Sequence, residues 1–188
     1  LSRKNSGEKS KLKLLPFTYK EAREFFPNYS NEEALVAYSI LGGIPLYLSL
    51  FDDSISIKEN VIKNCLSTTG YLFNEIETLL RMELKETYFY KNIMLAINAG
   101  ASAFNSIKDK VDEEAAKVAK YMNVLIHLGF IKKEVPCGEK EKSRKTLYSI
   151  CDNYFAFYFA FIFKHQNMLN GLISPELYYE REFTKEKL

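Results

Sequence analysis

The chain has 188 residues, 47% of them hydrophobic and 14% aromatic, enough apolar surface for a real core, which excludes a disordered polymer. Lysine and arginine number 26 against 24 aspartates and glutamates, so no bulk field drives the whole chain onto nucleic acid or an anionic membrane. Any such contact must be local.

Residues 1–11 are polar and read as a lead-in, and the alternation over residues 11–15 suits a short strand. Thr18 with Glu21 and Ser30 with Glu33 have the spacing of capping boxes, each opening a helix; these helices should end at Pro27 and Gly42. A further helix is expected from Ile44 to Phe51. Asp52-Asp53-Ser54 breaks the chain before a helix from Ile57 to Leu66, and Gly70 precedes a longer amphipathic helix through Leu84. The result is a small all-helical array.

The next segment changes character. Tyr88, Phe89, Ile93, Ala96 and Ile97 make a helical stripe that ends at Gly100, and Phe104 to Ile107 begins a short second helix. Asp112 is placed to cap a third helix from Glu113 to Leu128, which Gly129 ends. Two strand-like runs, residues 130–135 and 146–150, flank a lysine-rich loop. Three helices followed by a hairpin predict a winged helix.

The third helix should bury Ala115, Val118, Met122 and Leu125 and present Lys117, Lys120, Val124 and His127 on the opposite face. Lys117 and Lys120 are therefore candidate DNA contacts, although Asp112, Glu113 and Glu114 crowd the helix start and would repel phosphate. Lys140, Lys142, Arg144 and Lys145 in the loop are the other candidates. With Glu139 and Glu141 among them they suit weak, non-specific backbone contact or a solvated surface, and a purely protein-facing unit is the other reading.

The aromatic run from Tyr154 to Phe163 is ten residues, too short to span a bilayer. Both of its helical faces are aromatic, which predicts a helix buried all round; the other reading is an exposed face that docks another domain. No leader pattern opens the sequence. Cys65, Cys137 and Cys151 lack CxxC spacing, and neither His127 nor His165 has a ligand-spaced partner. Reduced cytoplasmic thiols are expected, with no metal site and no membrane partner.

Leu41-Gly42-Gly43-Ile44-Pro45-Leu46 interrupts an apolar run with two glycines and a proline, so a bare backbone is required there. A helix stop at Gly42 followed by proline accounts for it in ordinary terms. This turn, the upstream stretch from Leu14 to Pro27 and the downstream Phe73-Asn74-Glu75 and Tyr148 to Phe161 occur in an order that resembles the C-terminal portion of archaeal-type P-loop ATPases of the AAA+/STAND class. The resemblance extends from residue 1 to about residue 169. It implies a helical lid in which Gly43-Ile44-Pro45 lies against bound ATP, Pro45 packing on the adenine and Gly43 letting the backbone come close. It also implies that the last block opens a nuclease-like C-terminal domain.

No glycine of the eight is followed by Lys-Ser or Lys-Thr, so the chain has no phosphate loop; nor has it an acid-tipped strand for magnesium. No catalytic residue is assigned, and no Asp…Glu-x-Lys set supports a nuclease. On the resemblance, ATP binds with magnesium held by a core that precedes this chain, and that core and a C-terminal domain are its partners.

The fold expected is mainly α: residues 1–17 a lead-in, 18–84 an AAA+-type lid, 85–151 a winged helix-turn-helix with a small β-hairpin, 152–188 the start of a further domain. The function expected is a regulatory part of an ATPase that senses nucleotide through its lid. The alternative is a free-standing winged-helix transcription regulator.

Overall fold

The computed structural model describes residues 15–138 and 145–183. The expected strand at residues 11–15 lies almost entirely outside them, and Leu15 is exposed and in no strand. The fold is mainly α with one two-stranded antiparallel hairpin.

Helix α1 (Tyr19–Ala22) continues as a 3₁₀ turn to Phe25, followed by α2 (Asn31–Leu41), α3 (Pro45–Leu48), α4 (Ile57–Val61) and α5 (Tyr71–Glu83). The two expected capping boxes form, and Ser56 with Glu59 makes a third: the Thr18, Ser30 and Ser56 amides donate to Glu21, Glu33 and Glu59 carboxylates at 2.7, 2.9 and 2.9 Å. Helix α3 is shorter than the expected 44–51, because after Leu48 the chain tightens into i→i−3 bonds, Leu50 N–H to Tyr47 O and Phe51 N–H to Leu48 O. Beyond Val61 the expected helix widens to a π turn, Ile62–Leu66, closed by the Ser67 amide on Ile62 O at 2.9 Å. Gly70 lies against this turn; a Cβ there would sit 2.5 Å from Asn64 O.

Helices α6 (Thr87–Asn98), α7 (Phe104–Val111) and α8 (Ala115–His127) precede strands β1 (Ile131–Glu134) and β2 (Leu147–Ile150), which pair from Ile131–Ile150 to Glu134–Leu147. The Tyr148 amide donates to Ser102 O at 2.8 Å, tying the hairpin to the α6–α7 connection. Asp112 corrects an expectation. It does not cap α8 but takes a left-handed conformation (φ 56°) that ends α7, its amide on Lys108 O, and α8 begins two residues later than predicted with Glu114 at its N-cap. Aspartate tolerates this backbone better than most side chains do.

The aromatic segment is the centre of the molecule. It starts as α9 (Asn153–Phe157), becomes a π turn over Tyr158–Ile162 and a 3₁₀ turn to His165, and leads into α10 (Gln166–Leu169) and α11 (Pro175–Glu182). It packs on α2 from the first array and on α6 and β2 from the second, while α11 reaches back to the π turn after α4. Tyr154, Tyr158, Phe159 and Ile162 are fully buried in the same core as Leu41, Leu72 and Ile97. Most of the segment is therefore buried, as expected, but not all round: Phe161 and Phe163 stay partly exposed, and Phe183 stacks on Phe161 with ring centroids 4.6 Å apart.

Candidate functional site

The Gly42–Pro45 turn is held from two directions. Helix α2 ends on Gly42 (φ 68°), whose amide donates to Tyr38 O at 2.8 Å. A Cβ at Gly42 would meet the Asp152 carboxylate at 3.3 Å, and Asn153 Nδ2 donates to Tyr38 O at 3.0 Å, so the start of α9 is seated on the end of α2. At Gly43 the constraint is harder: a Cβ would lie 2.0 Å from Phe17 O. The Phe17 amide donates to Gly43 O at 2.8 Å and the Tyr38 hydroxyl to Phe17 O at 3.1 Å. The bare backbone at 42–43 is thus accounted for by intramolecular contact with Phe17 and with the Asp152-Asn153 pair.

What the turn turns outward is Pro45, at the first position of α3, and Leu46, which is 48% exposed. Tyr47 and Leu48 point inward; the Tyr47 hydroxyl donates to Glu75 Oε1 at 3.3 Å, and burial with the nearby carboxylates of Glu75 and Asp152 pushes its ionisation far up. Burial likewise raises the Asp152 carboxyl, against the stabilising amides of Phe155 and Tyr154. The exposed part of the site is a small apolar step and carries no acid–base pair. Among the described residues no group of three His, Cys, Asp or Glu side chains could hold a metal ion. The Cys65 thiol is buried and its ionisation is suppressed by that burial.

The basic candidates divide. Lys140, Lys142 and Arg144 lie outside the described residues, and Lys145 is exposed at their edge. Lys117 is engaged within the fold: its ammonium is 3.0 Å from Glu113 Oε1 and 3.5 Å from the centre of the Phe89 ring. Lys120 is exposed, yet it lines a cleft of about 470 Å³ with Glu83, Glu86, Tyr121 and Val124, in which the Tyr121 hydroxyl donates to Glu86 at 3.1 Å. The α8 face that should read bases is therefore turned partly toward α6 and the end of α5: Lys117 and Val124 are half-buried, while Lys120 and His127 stay exposed. Of the apolar set, Val118, Met122 and Leu125 are buried as expected, whereas Ala115 is exposed.

A second concavity went unseen in the sequence. A cleft of about 530 Å³ is lined by Tyr88, Asn92, Leu95, Lys110, Val111 and Lys164, two ammonium groups with no carboxylate in the lining. Its chemistry suits an anion, although Lys110 already donates to Ala99 O at 2.8 Å. No periodic signal links Lys110 with Lys164, which come together only through packing.

No established family profile matches the chain. It is 33% identical over 152 residues to an uncharacterized protein of Methanocaldococcus jannaschii, a match that covers 81% of this chain and 34% of that protein. The chain thus spans about a third of the length of the curated relative it matches. A solved structure, the Walker-type ATPase of Pyrococcus abyssi, superposes with a TM-score of 0.53 at 20% identity over 77% of this chain and 42% of that one. The chain shares the fold of the part of that structure it superposes on. No helix among the described residues is long and apolar enough to cross a membrane.

Proposed function

We propose that this chain is the regulatory portion of an ATP-binding, archaeal-type AAA+/STAND ATPase, in which the α1–α5 array serves as a nucleotide-sensing lid. The likeness in fold to a Walker-type ATPase carries the reading. The turn supports it further: Phe17 and Asp152 lock the glycines from behind while Pro45 and Leu46 stay exposed, a flat apolar surface of the kind an adenine ring accepts. The phosphates and magnesium would be held by residues outside this chain, since it contains no phosphate loop.

The test uses the whole ATPase that contains this chain. Pro45→Asp places a charge under the base and is expected to weaken ATP binding about tenfold, roughly 1.4 kcal/mol, by titration calorimetry with thermal unfolding unchanged. Unaltered affinity in the folded variant removes Pro45 from the site.

The α6–α8 unit with its hairpin is read as a winged helix that faces protein more than DNA, because Lys117 is already committed to Glu113 and Phe89. Residual duplex binding would come through Lys140, Lys142, Arg144 and Lys145, with a salt slope of about four phosphates at most. Fluorescence anisotropy at two salt concentrations should detect weak binding without sequence preference that vanishes when all four become Ala. Sequence-selective binding lost on Lys117→Ala and Lys120→Ala alone would instead make α8 the reader.

A further inference from the structure

We propose that Asn98 is a latch that sets the helical register of the aromatic segment, and so couples the position of the α6–α8 unit to the packing of α11. Asn98 is the last residue of α6. Its carboxamide, oriented as its neighbours require, donates to Ala156 O and accepts from the Ala160 amide, both at 3.1 Å. In an α-helix the Ala160 amide would bond to Ala156 O directly. The side chain of one element therefore replaces a rung in the ladder of another, a recognised cause of local widening.

The widening is present where the rung is missing. Tyr158–Ile162 forms a π turn closed by the Phe163 amide on Tyr158 O. Relative to an α-helix, such a turn carries one residue more, so everything beyond it is turned by about 100°. The downstream groups use that offset. The Tyr178 hydroxyl donates to Phe161 O and lies 2.8 Å from His165 Nδ1, and Phe183 stacks on Phe161 at 4.6 Å. If the turn closed to α, His165 would rotate off Tyr178 and the seat of α11 would change.

Two further observations make the latch movable. The residues it contacts are the two alanines in a stretch otherwise made of large apolar and aromatic side chains, four apart, so no bulky side chain blocks entry or exit of the amide. Clefts of about 280 and 300 Å³, each bordered by both Asn98 and Ala156, flank the contact, leaving room for the backbone to close when the amide withdraws. Gly100, at φ 90° just beyond the latch, lets the chain turn from α6 toward α7. A shift of the α6 end would thus be read at α11 as a change of register.

The test compares this chain with its Asn98→Ala and Asn98→Asp variants by amide-resolved NMR. Asn98→Ala should remain folded, convert residues 158–162 to α-helical shifts, and lose the cross-peaks between His165 and Tyr178, with shift changes reaching Phe183. Asn98→Asp retains an acceptor for the Ala160 amide but loses the donor to Ala156, and should give the same pattern in smaller degree. Changes confined to residues touching position 98, with the His165–Tyr178 contact intact in both variants, would make Asn98 a local cap and overturn the proposal. Global unfolding of both would also overturn it, since a latch is dispensable to the core.

Discussion

A methyl group at position 43 would sit 2.0 Å from the Phe17 carbonyl oxygen, and backbone cannot yield as a side-chain tip can. Gly43→Ala is therefore expected to cost about 3 kcal/mol, the upper range for overpacking, read as a lower urea midpoint. Gly100 is a useful contrast, because nothing lies within 4 Å of its would-be Cβ and only its φ of 90° asks for glycine. Gly100→Ala should cost about 1 kcal/mol. If the two substitutions cost the same, close approach of Phe17 is not what constrains position 43. The two glycines look alike in the sequence; one answers to a neighbour 26 residues away and the other to its own dihedral.

At the scale of elements, α5, α6 and the aromatic segment meet at an ion pair. Lys91 Nζ lies 2.5 Å from Glu77 Oε2, with side chains only 14% and 18% exposed, and Arg81 Nε donates to Glu77 Oε1 at 2.9 Å. Burial pushes the Glu77 carboxyl up, but the hydrogen bonds from Lys91 and Arg81 outweigh it and hold the carboxyl below its ordinary value. A depressed carboxyl stabilises the fold above the unfolded-state pKa of about 4.3, and that contribution is lost as pH falls through the folded value. The capping carboxylates Glu21, Glu33 and Glu59 are lowered as well and titrate in the same direction. Glu77→Gln should therefore flatten only part of the acid limb, seen as a smaller drop in urea midpoint between neutral pH and the carboxylate range. An unchanged acid limb would mean the pair is energetically silent. Lys91→Met at neutral pH is expected to cost about 1.5 kcal/mol, since it strips one charged donor from a largely buried carboxylate.

For the molecule as a whole, α11 and Phe183 roof one side of the aromatic segment. Tyr178 is buried, Tyr179 stacks on Phe183 at 4.6 Å, and Phe183 covers Phe157 and Phe161. Ending the chain after Ser174 should uncover these rings and produce self-association, measured by sedimentation velocity. Phe183→Ala in the full chain should cost about 3 kcal/mol without that association. A shortened chain that stays monomeric would show that the roof is dispensable.

Local patterns were enough for the mainly α class, the helix starts at Thr18 and Ser30, the stops at Gly42, Gly100 and Gly129, and the order of three helices and a hairpin. Each depends on residues within one turn of one another, where caps and periodicity act. The spacing also marked 42–45 as special, but Phe17 and Asp152 explain why, and neither is adjacent in the sequence. Lys117 and Lys120 share a helical face by spacing; whether that face is free depends on Phe89 and Tyr121, and packing engages Lys117 while leaving Lys120 exposed. The π turns, the Asn98 contact and the cleft between Lys110 and Lys164 left no periodic trace. They arise where elements far apart in the chain compete for the same backbone groups or the same space, and only the tertiary structure decides that competition.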